Sequence, residues 1–143
     1  MHILFVESAY PNLKGEQGGA GTYVRNVGLE LIKRGHKVSV LRGGNHLIEH
    51  GFRIDQGIKV YSQKIKSNFA WYVCKTQVIN KLFFPLIQYL IVGLHKYIYI
   101  NKINNKDRID IIEYSSTGDF WQCIFKSIPY IVHLHGSGFS YKN

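Results

Sequence analysis

Cysteine is scarce in this chain: Cys74 and Cys123 are the only two among 143 residues. They lie far apart and fit no metal-ligand spacing. A disulfide framework is not expected, and both read as reduced thiols of a cytosolic protein. Acidic residues are also few, nine against 18 Lys and Arg, which leaves a net charge of +9. That balance favours an anionic partner (nucleic acid, an anionic membrane face or a phosphorylated ligand) without choosing among them. No basic region and no small-residue cleavage site follow Met1, which leads straight into HILFV, so no secretory leader is expected. The chain has no internal repeat and no low-complexity tract. Its longest apolar run, residues 83–100, is interrupted by Pro85, Gln88, His95 and Lys96.

What is present reads as one globular domain. Hydrophobic residues make up 45% and charged residues 19%, outside the disordered range. HILFV is a short apolar run that fits a strand buried on both faces. Residues 7–21 are rich in Gly, Pro and polar residues and read as a loop. Val24, Val27, Leu31 and Ile32 then recur at helical spacing, with Thr22 as the expected N-cap. Gly28 lies on the same stripe, where a missing side chain lets a helix sit close to a sheet. Lys33 and Arg34 suit the carboxyl end of the helix dipole, and Gly35 suits a left-handed cap.

Four more strands are expected at residues 37–41, 57–62, 108–114 and 129–136. A polar loop holding His46 and His50 separates the first two of these. From Phe83 the positions Leu86, Ile87, Leu90, Leu94 and Ile98 keep helical spacing, and FWQCIFKS reads as a short helical linker. Strands alternating with helices predict an α/β fold, a Rossmann-like parallel sheet of about five strands with helices on both faces.

In such sheets ligands bind outside the carboxyl ends of the strands. Three unusual stretches fall there: the glycine loop after the first strand, EYSSTGD after the fourth and HGSGF after the fifth. The first turn of a helix leaves backbone N–H groups without partners, and the dipole adds positive potential. GGAGTY therefore either receives a phosphate or builds a tight turn. It is not a Walker A loop, because no Gly-Lys-Ser/Thr is present. Nor is it a dinucleotide fingerprint. A dozen residues separate Val6 from Gly19, and the second strand ends in VLRGG, with Arg42 where a ribose-binding acid belongs.

The opening MHILFVES, the Tyr10-Pro11 pair and the run GGAGTYVRNVGLELIKRGHKVSVL together resemble the amino-terminal end of family 4 glycosyltransferases. DIIEYSSTGDF and IPYIVHLHGSGF extend the likeness, while residues 60–106 are too divergent to judge. The resemblance implies a retaining enzyme of the two-Rossmann-domain (GT-B) type. It places Gly18, Gly19 and Gly136 against the donor and His135 at the reaction centre. It implies no cofactor beyond a nucleoside diphosphate sugar as co-substrate, and no bound metal. His133 shares a sheet face with His135, but no third ligand lies nearby.

The acceptor is not carried over, because EYSS stands where many relatives have a histidine-rich loop. Tyr10, Glu113 and Ser115 are the acceptor-side candidates, and Glu113 either accepts sugar hydroxyls or caps a loop. The family's Glu-x7-Glu motif belongs to a second domain that this sequence does not contain. The expectation is thus a single, incomplete amino-terminal domain spanning residues 1–143, the acceptor half of a transferase and inactive alone.

The rival function is a glycan- or partner-binding module without catalysis. Nucleic acid is disfavoured as a partner, since the basic residues are dispersed and no recognition module is present. Two readings remain for residues 83–100: a helix packed on the sheet, or one lying on the inner face of a membrane. The expected location is accordingly cytoplasmic, with or without peripheral attachment.

Overall fold

The computed structural model describes residues 1–11, 19–44, 51–64, 77–115, 124 and 128–133. In chain order these form β1 (His2–Val6), α1 (Gly19–Lys33), β2 (Lys37–Gly44), β3 (Gly51–Asp55), β4 (Ile58–Lys64), α2 (Gln77–Lys106), β5 (Ile111–Tyr114) and β6 (Tyr130–Val132). The sheet order is β3-β4-β2-β1-β5-β6, parallel throughout except for the antiparallel β3–β4 pair. This is the expected Rossmann-like α/β sheet, with six strands instead of five.

β1 is the centre of the sheet, and all five of its residues are buried. Its alternation sends Leu4 and Val6 to one face and Ile3 and Phe5 to the other. Leu4 and Val6 pack with Leu41, Ile112 and two residues of α2, Ile100 and Ile103. Ile3 and Phe5 pack with Val38, Val40, Ile58, Val60 and Val24 of α1. Each described helix therefore covers one face. Gly28 provides the close approach read from the sequence: a Cβ there would lie 3.0 Å from Ile58 Cδ1 and 3.4 Å from Val38 Cγ1.

α1 ends as its sequence predicts. Gly35 adopts φ +81°, its N–H bonds to Ile32 O, and the His36 N–H reaches back to Leu31 O. Those two bonds make a Schellman cap. Its start differs from expectation. The helix begins at Gly19, so Thr22 lies within it rather than capping it. The reason is packing at Gly21, where a Cβ would sit 2.0 Å from the Ala9 carbonyl oxygen. The backbone of the loop after β1 presses directly on the first turn.

β3 is the strand the sequence reading missed. Its turn into β4 places Gln56 at φ 49° and Gly57 at φ 93°. Two consecutive positive φ values define the type I′ hairpin, whose usual signature is Asn-Gly or Asp-Gly. Gln-Gly carries the signal only in its second residue. The strand expected at 57–62 runs to Lys64 as β4, and the one expected at 37–41 runs to Gly44. Of FWQCIFKS only Ile124 is described, and it is helical, while the loop with His46 and His50 and both cysteines lie outside the described residues.

The amino edge of the sheet is closed by a polar cluster. His2 is buried, with Nδ1 3.0 Å from the Arg108 carbonyl and Nε2 2.8 Å from Ser39 Oγ. A carbonyl only accepts, so in the neutral ring Nδ1 carries the proton and Nε2 accepts from the Ser39 hydroxyl. Asp107, just past α2, accepts from Lys59 Nζ at 2.8 Å and Lys37 Nζ at 2.9 Å. The hydrogen bonds from Lys59 and Lys37 hold its carboxyl at about 2, against an ordinary 3.8.

Two stability predictions follow from this packing. Gly21→Ala should cost about 1–3 kcal/mol, because the clashing atom is backbone and cannot rotate away. Gly19→Ala should be nearly neutral, since nothing among the described residues lies within 4 Å of its Cβ position. Thermal unfolding of the pair measures the contrast. Asp107→Asn should lose about 1–2 kcal/mol at neutral pH, discounted for the exposed lysines. A depressed carboxyl stabilises above its unfolded value and loses that contribution as pH falls through the folded one. The mutant's stability should therefore fall less between about pH 4 and pH 2 than the parent's, as read from denaturant melts across that window.

Candidate functional site

β1 is followed in the sheet by β2 on one side and β5 on the other, so the strand order reverses between β1 and β5. In folds of this kind the carboxyl ends of the strands beside such a reversal are where ligands bind. Four described features meet there: the end of β1, the first turns of α1, and the ends of β5 and β6.

Glu113 pairs with Phe5 on one side and Ile131 on the other. It points to the α1-bearing face, and His133 lies two residues beyond Ile131 on that same face. His133 Nδ1 sits 3.3 Å from Glu113 Oε1. Tyr23, one helical turn beyond Gly19, brings its hydroxyl to 3.5 Å from the same oxygen. The Tyr23 and His133 rings meet edge to face, with centroids 4.8 Å apart. The Glu113 side chain is 12% exposed and the His133 ring 42% exposed, so the cluster is buried at its base and open at its rim. Burial, followed by the Glu113 charge and hydrogen bond, raises the Tyr23 phenol above its ordinary 10.0. Tyr23 thus stays a neutral donor beside a carboxylate acceptor.

Ser115 lies at the end of β5, buried, with its hydroxyl donating to the Val6 carbonyl at 3.3 Å. It ties β5 to β1 and borders the cluster. Gly19 is exposed at the first position of α1. The structure therefore brings Glu113, Ser115 and Gly19 to one crevice.

It does not bring Tyr10 there. Tyr10 is completely buried, and its hydroxyl donates to Asp55 Oδ2 at 2.8 Å. Burial, reinforced by the Asp55 hydrogen bond and charge, pushes this phenol far up. Burial also pushes the Asp55 carboxyl up. The hydrogen bonds from Tyr10 and Arg25, with the charges of Arg25 and Arg53, outweigh it and hold the carboxyl below its usual value. Arg25 Nε lies 3.2 Å from Asp55, and an Arg53 guanidinium nitrogen donates to the Pro11 carbonyl. Tyr10 is thus a structural post that fixes the loop after β1 to the edge hairpin, which corrects its reading as an acceptor-binding group.

Gly18, His135 and Gly136 lie outside the described residues. Tyr23 was missed as a site residue, and His133 was weighed only as a metal ligand. Tyr23 was within reach of periodicity, from its i+4 relation to Gly19, whereas the place of His133 beside Glu113 follows from the β5–β6 register. Among the described residues no group of three His, Cys, Asp or Glu is arranged to hold a metal ion.

The sequence from residue 17 to residue 143 matches the family model described as Glycosyltransferase Family 4. The chain belongs to that family. The match spans the glycine helix, both described sheet edges and the segment after β6. No curated protein matches the chain. The family 4 assignment makes this a glycosyltransferase-associated domain, and its crevice lies where the fold places ligands.

The contact between Tyr23 and Glu113 is open to measurement. Glu113→Gln should bring the Tyr23 pKa part of the way back toward its ordinary value, because burial, the larger cause, remains. Site-resolved NMR of the tyrosine ring as pH rises would detect this. An unmoved titration would place the Tyr23 hydroxyl away from Glu113.

Proposed function

We propose that this chain is the acceptor-side domain of a retaining glycosyltransferase. It would help move a sugar from a nucleoside diphosphate sugar to a hydroxyl of a glycan or lipid-linked acceptor. The observation that carries the reading is the convergence of Tyr23, Glu113 and His133 at the strand-order reversal, beside the amino terminus of α1. The half-exposed ring of His133 and the carboxylate beneath it form a polar floor suited to sugar hydroxyls. Aromatic edges at the rim suit the apolar face of a pyranose.

In this scheme Glu113 accepts a hydrogen bond from an acceptor hydroxyl and Tyr23 donates one to a neighbouring oxygen. Gly19 leaves the first turn of α1 uncovered, so donor phosphates or the transferred sugar approach its backbone N–H groups and gain from the dipole. Gly18, Gly136 and His135 are assigned to the same donor side by family likeness. The leaving diphosphate also needs cationic stabilisation. Arg25 is engaged with Asp55 and Arg53 with the Pro11 carbonyl, so neither is spare for that task. We therefore assign the diphosphate to a facing, nucleotide-binding domain and expect no transfer without one.

The test uses a panel of nucleoside diphosphate sugars with glycan and lipid-linked acceptors. The purified 143-residue chain should give no turnover. When it is joined to a nucleotide-binding domain, Glu113→Ala should raise the acceptor KM about ten- to a hundredfold and leave the donor KM nearly unchanged, the loss expected for one hydrogen bond to a charged group. Turnover by the chain alone would overturn the division of labour. An unchanged acceptor KM would remove Glu113 from the acceptor site.

A further inference from the structure

Every Asp and Glu of the chain lies before Gln56 or after Lys106. The 51 residues between hold eight lysines (Lys59, Lys64, Lys66, Lys75, Lys81, Lys96, Lys102 and Lys106), so nearly all of the +9 net charge arises there. Most of that stretch is α2, at 30 residues the longest element of the fold. A helix of that length runs about 45 Å, whereas a five-residue strand such as β1 runs about 17 Å.

The helix therefore extends well past the sheet it packs on. Its buried anchors, Ile100 and Ile103, lie in its carboxyl-terminal third. Upstream, Leu86, Tyr89, Leu94 and Ile98 are all exposed, between 36% and 55%. Ile91, Leu94 and Ile98 fall on one stripe at i, i+3 and i+7, and Lys102 continues it. Lys102 Nζ stands 5.4 Å from the Tyr99 ring centre. Beside them, exposed Phe52 stacks on Tyr61 at 5.1 Å, and both share a surface depression with Tyr99 and Lys106. The carboxyl end of the helix is thus core, and the length upstream of it carries exposed apolar side chains on a helix that holds no Asp or Glu.

We propose that α2 docks the protein on an anionic phospholipid surface, lying in the interface with Leu94 and Ile98 inserted and Lys102 and Lys106, which continue the same stripe, at the headgroups. An apolar stripe continued by lysines, on a helix with no carboxylate of its own, complements such a surface in both hydrophobicity and charge. Among the described residues no helix is long and apolar enough to cross a membrane, so the contact is interfacial. The inference is independent of the sugar-transfer reading, because its readout is partitioning and needs no turnover.

Flotation of the full chain with phosphatidylcholine vesicles, with and without phosphatidylglycerol, tests it. Binding should require phosphatidylglycerol and weaken as salt rises. Each lysine neutralised should cost about fivefold, so Lys102→Gln and Lys106→Gln combined should lose about 25-fold. Leu94→Ser with Ile98→Ser should lose at least tenfold. Lys33→Gln and Arg34→Gln on α1 should stay within about twofold. If the double variant fails to melt cooperatively, exposed Lys102→Glu alone replaces it.

Absent binding to phosphatidylglycerol vesicles at low salt, equal binding to neutral vesicles, or binding indifferent to the lysine changes would each overturn the proposal. So would a dimer in sedimentation that Ile98→Asp dissociates, which would assign the face to a second copy. Single-stranded RNA that competes the chain off vesicles through the same lysines at lower concentration would assign it to nucleic acid.

Discussion

Everything in this fold hangs on β1, five consecutive residues with no exposed side. An extended segment buried on both faces needs a parallel neighbour on each edge and a covering layer above and below. β2 and β5 supply the edges. α1 and α2 supply the layers, as the two separate cores around Phe5 and Leu4 record. Because the chain builds first on the β2 side and then crosses to β5, the order reverses beside β1. The crevice is a consequence of burying HILFV rather than a separate feature. The position of the polar cluster is set by apolar packing.

The two ends of the sheet treat polar groups differently. At the amino edge His2 is enclosed and Asp107 binds two lysines. Those interactions stabilise the fold and leave little for a ligand. At the carboxyl edge the Glu113 cluster is buried only at its base. A carboxylate held by a half-exposed imidazole and a phenol keeps acceptor capacity toward the crevice, since its oxygens offer about four lone-pair sites. Both edges hold carboxylate-centred clusters, but the one at the carboxyl edge stands beside the strand-order reversal, with Gly19 exposed at the start of α1.

Much of this was legible before any coordinates. The alternation of HILFV, the helical stripe through Gly28 and the RGH ending of α1 each obey a local rule, and tertiary packing agrees with all three. What was illegible depends on contacts distant in sequence. Thr22 is a good N-cap by composition, but the start of α1 is set by the Ala9 backbone against Gly21. Gln56 is a poor residue for a type I′ turn, so β3 left little trace, and its partners are found only through register. Tyr10 stands next to a proline in a polar stretch and reads as an exposed loop residue. Its burial follows from Asp55, 45 positions away. Glu113 was visible as a candidate, while its pairing with His133 depends on β5 and β6 being neighbours.

The first residues of the loop after β1, 7–11, are tied down by hydrogen bonds without secondary structure. The Glu7 backbone N–H donates to Leu41 O, and the Glu7 carboxylate accepts from the Ala9 N–H at 2.6 Å. Tyr10 then anchors to the edge hairpin, and Pro11 O accepts from Arg53. Between those anchors lies the Ala9 carbonyl, the surface on which Gly21 rests. β1, the hairpin and α1 are therefore referenced to one short loop. The amino terminus of α1, with Gly19 open and Tyr23 one turn on, is held in place relative to Glu113 by backbone contact. A side chain at position 21 would push the helix from the loop and with it Tyr23 from the carboxylate. Glycine at that position serves first as a spacing constraint on the crevice, and the openness at Gly19 is what remains for a ligand.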